Sequence, residues 1–329
     1  MLLKSRSTNT GIPFPCWYID IACIFKRQTV FRFAALPVLL FLLASCENPS
    51  KQSAGSKVEI KRYLFAGHCY NYLDTANRID PRIPALGLFR FHEVILGGDI
   101  IYYGSRDSAT LLAIDREFSL ASEYTHWAIG NHDTAGGKDD LISGFTGRNT
   151  FYTFHRDGIT FLILNTTLRD TNCAAKIAQY KMITSVCDTI KNSSHMILVG
   201  HDVIWGNAIP GIDLFTTGNG ADPDFDFLCN HRAARFDDSV YFRLNSVRAR
   251  GIGVICLAGD FGIFTPQFEY RDANGIVYLG AGMKRSTAWV KKSQYFGKDA
   301  VLVFRHKPES GELTWEFIRL NDFMGMWLL

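Results

Sequence analysis

Histidine, aspartate and asparagine side chains follow glycine at the ends of five short apolar runs in this chain. Ligands in an open α/β sheet collect at the carboxyl ends of strands, where loops project side chains into one crevice. The glycine before each polar residue lets the backbone turn sharply without a Cβ clash. These side-chain types bind metal ions, so the sequence predicts a metal centre built from Gly67-His68, Gly97-Gly98-Asp99, Gly130-Asn131-His132-Asp133, Gly200-His201 and Gly259-Asp260.

The order and spacing of these segments resemble those of the calcineurin-like metallophosphoesterases. His68 precedes Asp99 by 31 residues, Asp99 precedes Asn131 by 32, and His201 follows Asn131 by 70. The family's blocks run D-x-H, G-D, G-N-H-D/E, H and G-H-x-H, and the GNHD block is intact here. The resemblance covers about 63–262, with 275–318 expected to supply the last strands. It implies an α/β fold, a layered β-sandwich flanked by helices in the order α-β-β-α.

The resemblance also implies which residues bind metal. Asp99 would bridge two cations that lie about 3.5–4 Å apart in such two-metal sites. Asn131 and His201 would belong to one ion, and His68 would belong to the other. Oxygen ligands mixed with imidazole suit Mn, Fe or Zn, so the predicted cofactor is one or two divalent transition-metal ions.

Two further residues of the GNHD block are predicted to be catalytic. By resemblance, metal-activated hydroxide attacks phosphorus in line. His132 would stabilise the developing phosphoryl charge or protonate the leaving oxygen. Asp133 would orient the His132 ring. The reaction implied is hydrolysis of a phosphomonoester or a phosphodiester.

The chain departs from the family pattern at two positions. Ala66 stands where the first block has its aspartate, and Gly262 stands where the last block has its second histidine. Asp260 replaces the first histidine of that block and can serve as a carboxylate ligand. One ion therefore keeps a full set of protein ligands, whereas the other keeps only His68 and Asp99. Two protein ligands rarely hold a transition metal tightly.

A residue shortly after His68 can fill this gap, and the first choice is Asp74, a loop carboxylate six residues on. The alternative for each candidate carboxylate is an ordinary loop or helix cap. The site is therefore predicted to be either mononuclear or dinuclear with a weak second ion. The other candidates are Tyr70, Asn71 and Asp80, whereas His195 and His231 are predicted not to be ligands.

Short apolar runs alternate with helix-like stretches from about Val58 onward. Runs of this length that end in glycine-rich turns are typical of strands buried on both faces. Segments 108–120 and 174–191 have helical spacing, and 206–246 is predicted to be a loop-like insertion. The alternation indicates an α/β domain over 58–329. The predicted strands lie within VEIKRYLFAG, EVILGGD, HWAIGNHD, ITFLILNT, HMILVGH, IGVICLAGD, IVYLGAG, AVLVFRH and LTWEFI.

The amino-terminal part of the chain resembles a bacterial lipoprotein signal. The run Phe33–Ala44 carries no charge and is too short to span a membrane, but it fits a signal-peptide core. It ends at a lipobox-like LASC whose last residue, Cys46, would be lipidated. Residues 1–45 are thus predicted to be a leader, with a translation start near Val30, and 46–57 a flexible tether. The domain would be extracytoplasmic and anchored to a bacterial membrane by lipid, on the periplasmic side or the cell surface.

Charge and cysteine content agree with this reading. Five of the 35 basic residues but only one of the 32 acidic residues lie in 1–45, so the remaining chain has a net charge of −1. No basic cluster with interleaved aromatics is present, which argues against a nucleic-acid partner. Export also permits a disulfide, with Cys173 as a candidate.

These observations predict a metal-dependent phosphohydrolase that acts outside the cytoplasm on a phosphoester. The alternative is a catalytically degenerate binding or scaffold lipoprotein of the cell envelope that kept the fold. The incomplete ligand set at Ala66 and Gly262 motivates that alternative.

Overall fold

The structure is a computed structural model that describes residues 58–70, 78–104, 107–134, 139–206, 208–212, 219, 225–229, 235–262, 265–283 and 299–322. All of them belong to the compact unit Lys57–Leu329. The predictions for the leader, Cys46, the tether, Asn71, Asp74 and His231 lie outside the described residues. Within the described residues, no helix has the length and apolar character needed to cross a membrane.

The described residues form two β-sheets with helices between the strands. The helices are α1 Ser108–Phe118, α2 Asp139–Thr146, α3 Cys173–Thr189 and α4 Tyr241–Ala249, the last preceded by a π-helical turn at Phe236–Val240. Short 3-10 turns lie at Pro84–Leu86, Leu88–Arg90 and Asp170–Asn172. The strands are β1 Lys61–Ala66, β2 Glu93–Leu96, β3 Thr125–Trp127, β4 Tyr152–Arg156, β5 Ile159–Ile163, β6 His195–Gly200, β7 Gly253–Ala258, β8 Gln267–Arg271, β9 Val277–Ala281, β10 Ala300–Lys307 and β11 Glu312–Arg319.

Both sheets are mixed, with parallel strands at the positions that matter for the site. The first sheet has the order β11-β10-β1-β2-β3, in which β1, β2 and β3 are parallel. The second has the order β4-β5-β6-β7-β9-β8, in which β5, β6, β7 and β9 are parallel. The hairpin partners β4 and β8 pair antiparallel at the two edges. The protein is therefore a mixed α/β fold, as the alternation of strands and helices predicts.

Alternate residues of β1 show how the core is arranged. Tyr63 and Phe65 point into an apolar cluster that also contains Phe161 of β5 and Leu257 of β7, so the two sheets share this cluster. Leu64 and its neighbours of the same parity belong to a second cluster with residues of α1 and α2. A third cluster joins the other face of the second sheet to α3 and α4. Each fully buried aromatic or aliphatic side chain contributes about 1.5–3 kcal/mol.

Helix α1, which connects β2 to β3, shows how the local sequence determines where a helix begins and which face it buries. The Asp107 side chain accepts the backbone N–H of Thr110 at 2.7 Å and caps the amino end. Leu111, Ile114 and Phe118 are buried at helical spacing, so one face packs on the first sheet. The helix begins at the predicted residue and ends two residues before the predicted bound.

The structure confirms the nine predicted strands and the two predicted helices, but it contains elements that the sequence analysis missed. Strands β4 and β8 alternate exposed with half-buried residues and carry charged side chains, so they lack the continuous apolar run of a buried strand. The loop-like prediction for 206–246 is wrong for 236–246, where the π-helical turn and α4 pack Phe236 and Leu244 into the core. The short helix α2 was also missed.

A disulfide joins Cys173, the first residue of α3, to Cys229. It confirms the prediction that Cys173 can form one. Cys69, Cys187 and Cys256 are buried and free within the described residues, as expected for small apolar core residues.

Candidate metal centre

The predicted ligands lie at the carboxyl ends of parallel strands from both sheets. His68 follows β1 and Asp99 follows β2, while Asn131 lies in the turn after β3. His201 follows β6 directly, and Asp260 comes two residues after β7. Because β1, β2 and β3 are neighbours, as are β6 and β7, each sheet delivers its polar side chains to the same edge.

Glycine residues allow the backbones of the two sheets to approach closely at this edge. A Cβ atom on Gly259 would overlap the carbonyl oxygen of Gly97, and a Cβ on Gly98 would overlap the His201 ring. Gly98 also has a φ of 87°, in the left-handed region that favours glycine. His68 and Asp99 share this region, with φ values of 51° and 53°. Positive φ at two non-glycine residues is uncommon and is typical of functional sites.

The five side chains converge. The Nε2 atom of His68 lies 3.1 Å from Asp99 Oδ2 and 3.1 Å from Asp260 Oδ1. The Nε2 atom of His201 lies 3.2 Å from Asn131 Oδ1 and 3.4 Å from Asp99 Oδ1. The two imidazole rings stack with centroids 5.5 Å apart. Both histidines and both aspartates are buried.

The donor atoms of His68, His201 and Asp260 all lie within 4.8 Å of one another, so this group can hold a metal ion. The resemblance assigns His68 and His201 to different ions, whereas the structure brings both into one group. Asp99 touches both rings through its two carboxylate oxygens, which is the position expected of a shared carboxylate.

A hydrogen bond orients His201 for metal binding. Its Nδ1–H donates to the carbonyl oxygen of Gly97 at 2.8 Å. With Nδ1 held in this way, Nε2 is the nitrogen that faces Asn131 and Asp99, and it is the atom that a metal ion would bind in place of a proton. Metal-binding histidines are typically held in this way by a backbone acceptor on the other ring nitrogen. The residues therefore fit a divalent transition-metal ion, and imidazole with carboxylate and amide oxygen is a suitable donor set.

Charge interactions within the cluster are strong. Burial lowers the pKa of His68, but hydrogen bonds to Asp260 and Asp99 outweigh it and raise the pKa to about 9. Burial raises the pKa of Asp99, but His201 and His68 bring that pKa well below its usual range. Protons and a metal ion compete for the imidazole nitrogens, so ion binding is expected to strengthen as pH rises.

Asp133 does not play the predicted role. Its carboxylate accepts the backbone N–H groups of Asp99 at 2.7 Å, Ile100 at 2.9 Å and Gly130 at 2.8 Å. It also accepts the indole N–H of Trp127 at 3.1 Å. No hydrogen bond joins it to the His132 ring in the described part of the chain. The prediction that Asp133 orients this ring is wrong, because the carboxylate points inward and fastens the two ligand-bearing loops together.

His132 lies at the rim of the cluster, where aromatic side chains position it. Its ring packs on Tyr102 with centroids 4.2 Å apart and 31° between the planes, and Tyr70 lies 5.9 Å away. Its Nε2 atom is 3.9 Å from Asp99 Oδ2, and its backbone N–H donates to Asp99 Oδ1 at 2.9 Å. Burial lowers the pKa of His132, which favours the neutral ring. A neutral, partly exposed imidazole can exchange protons with a bound molecule.

Sequence analysis missed two residues of this site. Tyr102 follows the Gly98-Asp99 block by three residues, and the aromatic pair that it forms with Tyr103 was the available signal. Asn219 is the other, with its Nδ2 atom 3.0 Å from Nδ1 of His68 and its backbone N–H bonded to Asp260 O. Only a glycine on each side of it marks Asn219 in the sequence.

The structure also separates the candidates for the extra ligand. Asp80 forms a two-point ion pair with Arg82, which reaches Asp299 as well, so Asp80 serves the fold. Tyr70 lies with its ring 5.5 Å from the His68 ring. Ala66 is buried and offers only a methyl group where the family has an aspartate. His195 lies at the opposite end of β6 from His201, as predicted for a residue that is not a ligand.

Neither a family model nor a curated protein matches this chain. The chemical interpretation therefore depends on the geometry of the described side chains.

Proposed function

We propose that the protein is a metal-dependent phosphohydrolase that acts outside the cytoplasm. The observation that carries the proposal is the convergence of five predicted ligands, with His132 beside them, at one edge of the two sheets. Motif residues that are up to 192 positions apart, His68 and Asp260, meet within 3.1 Å. Burying two imidazoles and two carboxylates together costs free energy unless the groups are paired or bind an ion, which supports a functional role for the cluster.

The fold supports the same proposal in a finer form, a metallophosphoesterase-type β-sandwich with the layer order α-β-β-α. Support comes from the apolar cluster shared by the two sheets and from the helix-bearing clusters on their other faces. Ligands at the carboxyl ends of parallel strands agree with the general rule for open α/β sheets.

Asp99, Asn131, His201 and Asp260 are proposed to hold the essential divalent transition-metal ion, Mn, Fe or Zn, with His68 close enough to join them. Such an ion polarises a phosphoryl oxygen and activates water for attack on phosphorus. Whether one or two ions bind depends on whether another side chain replaces the carboxylate that is missing at Ala66. Asp74 remains the proposed extra ligand.

The chain's own residues supply the remaining chemistry. His132 would donate a proton to the leaving oxygen from its imidazolium form, which the negative charge of Asp99 beside it favours against the lowering of its pKa by burial. Asp133 holds the loops that carry Asp99 and Asn131 at a constant separation through four hydrogen bonds. Preorganisation of this kind is what a rigid active site requires.

The proposed substrate is a phosphoester in the cell envelope, reached because Cys46 anchors the protein to the membrane through lipid. A nucleic-acid partner is not proposed, because the chain after residue 45 has no excess of basic residues.

The direct test is to express the chain from about Ser50 and assay phosphomonoesters and phosphodiesters with Mn, Fe, Zn or Mg. We expect Asp99→Asn and His201→Ala to reduce turnover at least about a hundredfold, because each removes a ligand of the ion. His155→Ala is the matched control, since His155 is exposed and, among the described residues, forms a side-chain hydrogen bond to Thr160 alone. Activity that survives both ligand substitutions would overturn the proposal.

The second candidate is a binding or scaffold protein of the cell envelope that has lost catalysis. The observation in its favour is the buried methyl group of Ala66 at the first-block position, together with a glycine at position 262. Tight binding of an envelope glycan or protein, with no turnover of any phosphoester under any of these metals, would select it.

A further inference from the structure

A cavity lies at the opposite edge of the second sheet from the proposed metal ligands. Its volume is about 500 Å³, which is within the range of small-molecule sites. It is bounded by the amino ends of β6, β7 and β9, by the end of α4, and by the β8–β9 and β10–β11 turns. Its polar and aromatic lining residues are Ser194, His195, Arg248, Arg271, Ser310 and Trp315.

The described lining of this cavity is cationic and contains no carboxylate. Arg248 and Arg271 both face it, and the hydroxyls of Ser194 and Ser310 add polar groups. Leu313 and Trp315 supply an apolar wall on one side. Two guanidinium groups that share a cavity without an acidic neighbour repel each other, so an anion bound between them would be stabilised.

Arg248 is the residue that most clearly lacks a counter-charge. Among the described residues its guanidinium forms no ion pair, no hydrogen bond and no ring contact, and its Nε atom is buried without a partner. Arg148 and Arg243 also have a buried Nε, but their remaining nitrogens have partners. Arg148 donates to three backbone carbonyls and Arg243 pairs with Asp188. A partly buried, unpaired guanidinium is costly unless a ligand supplies the acceptor.

The pKa of His195 is consistent with the same positive surroundings. Burial lowers its pKa to about 4, and the charges of His306 and Arg248 act in the same direction. Within the part of the chain that the structure describes, Arg271 forms one long hydrogen bond, 3.4 Å to the carbonyl oxygen of Gly275. Both arginines therefore keep donors available to a ligand.

We propose that this cavity is a binding site for an anion of the phosphate type that carries an organic group. Arg248 and Arg271 would each donate charge-assisted hydrogen bonds to the phosphate oxygens. The organic group would lie against Trp315 and Leu313, since the cavity is larger than a bare phosphate needs. The site is separate from the metal centre, and the proposal does not rest on phosphohydrolase activity.

Calorimetric titration of the full chain in dodecyl maltoside micelles tests this site, with phenylphosphonate as the probe and a chelator to remove metals. Phenylphosphonate cannot be hydrolysed as an ester, and it combines a dianion with an aromatic ring. We expect binding of one molecule, at least tenfold weakened by Arg248→Gln and by Arg271→Gln. Arg243→Gln, on the same helix as Arg248, is the matched control and is expected to change the Kd less than twofold.

His201→Ala separates this site from the metal centre, and it is expected to leave phenylphosphonate affinity unchanged. Arg248→Gln removes no hydrogen bond or ion pair among the described residues, so the variant should unfold close to the temperature of the parent chain. The proposal would be refuted if the parent chain bound no phenylphosphonate at concentrations up to about 10 mM, at which even a weak site is occupied. It would equally be refuted if Arg248→Gln left the affinity intact.

The phosphate group can come from a soluble molecule or from a lipid headgroup, and a second titration distinguishes the two. The full chain is reconstituted in nanodiscs that contain phosphatidylglycerol, and phenylphosphonate is titrated again. A headgroup in the cavity would compete and weaken the apparent affinity at least tenfold relative to micelles. Equal affinity in both would assign the site to a soluble organic phosphate.

Discussion

The carboxylate of Asp133 accepts the backbone N–H of Asp99 at 2.7 Å, and this bond ties the loop after β3 to the loop after β2. The same carboxylate accepts three further N–H groups, from Ile100, Gly130 and Trp127. Asp133 is fully buried, so solvent water does not replace its carboxylate as the acceptor for these donors. The arrangement makes the last residue of the GNHD block a structural anchor for the proposed metal ligands that follow two strands.

Replacing Asp133 by Asn is therefore expected to destabilise the fold. An amide presents N–H groups toward backbone donors and leaves some of them unpaired, at a cost of about 2–4 kcal/mol. Denaturant titration with a chelator present measures the fold apart from metal binding. Asp188→Asn, an exposed aspartate that pairs with Arg243, should change stability by less than about 1 kcal/mol. Equal stability of the Asp133 and Asp188 variants would contradict the anchoring role.

Metal binding is expected to stabilise the folded chain and to require His201. An ion at a concentration of a hundred times its Kd adds about 2.7 kcal/mol to the free energy of unfolding. Addition of Mn or Zn should thus raise the Tm of the parent chain, and a chelator should reverse the rise. His201→Ala should abolish the shift, while His155→Ala, at an exposed position, should keep it. A shift of full size in the His201 variant would place the ion elsewhere.

Tyr102 is expected to act through His132, whose ring it packs against. If His132 protonates the leaving oxygen, poor leaving groups depend on it more than good ones. Tyr102→Leu should then lower kcat about tenfold for an alkyl phosphate but much less for 4-nitrophenyl phosphate. Tyr102→Phe keeps the ring and should restore most of the loss. Equal loss with both substrates would show that Tyr102 serves binding or folding and does not position His132.

The Cys173–Cys229 disulfide should stabilise the domain appreciably. It closes a loop with a sequence separation of 56 residues, and a loop of this size restricts the unfolded chain by an amount typically worth about 2–4 kcal/mol. The double variant Cys173→Ser, Cys229→Ser should unfold at a correspondingly lower denaturant concentration. Reductant should destabilise the parent chain and leave the double variant unchanged. Insensitivity of the parent chain to reductant would show that the bond does not form in solution.

His195 is expected to make stability depend on pH. Burial first, and then the charges of His306 and Arg248, lower its pKa in the folded state to about 4, against about 6.5 in an unfolded chain. Between these values unfolding takes up a proton, so stability is complete above pH 6.5 and falls as pH drops toward 4. His195→Gln should flatten this part of the stability profile, and NMR titration should place the ring's pKa near 4. A titration midpoint near 6.5 would contradict the buried, cationic surroundings.

Much of the fold could be predicted because its signals are local. A buried parallel strand has to be a short, nearly continuous apolar run, and such runs occur at nine of the strands found. Strands β4 and β8 were not predicted, because edge strands keep one face toward solvent and their residues therefore alternate between exposed and half-buried. Helix α4 was not predicted, because it has few buried apolar positions, Leu244 and Val247, and these lie beside arginines.

The sequence by itself determined which side chains can meet at the candidate metal centre. A polar residue after a strand-ending glycine is a local pattern, and parallel strands carry it to a common edge whatever the details of packing. His68, Asp99, Asn131, His201 and Asp260 were identified in this way. Their types alone also set the class of ion that suits them.

Only the tertiary structure decided what surrounds those ligands. Asp133 turns inward because four N–H groups from two chain segments, 99–100 and 127–130, need one buried acceptor. The Tyr102 ring contacts His132 across the space between two loops. Neither contact is encoded by spacing, since each depends on how β2 and β3 are placed side by side. The cavity around Arg248 and Arg271 arises in the same way, because residues from one helix, three strand ends and two turns meet only when both sheets have formed.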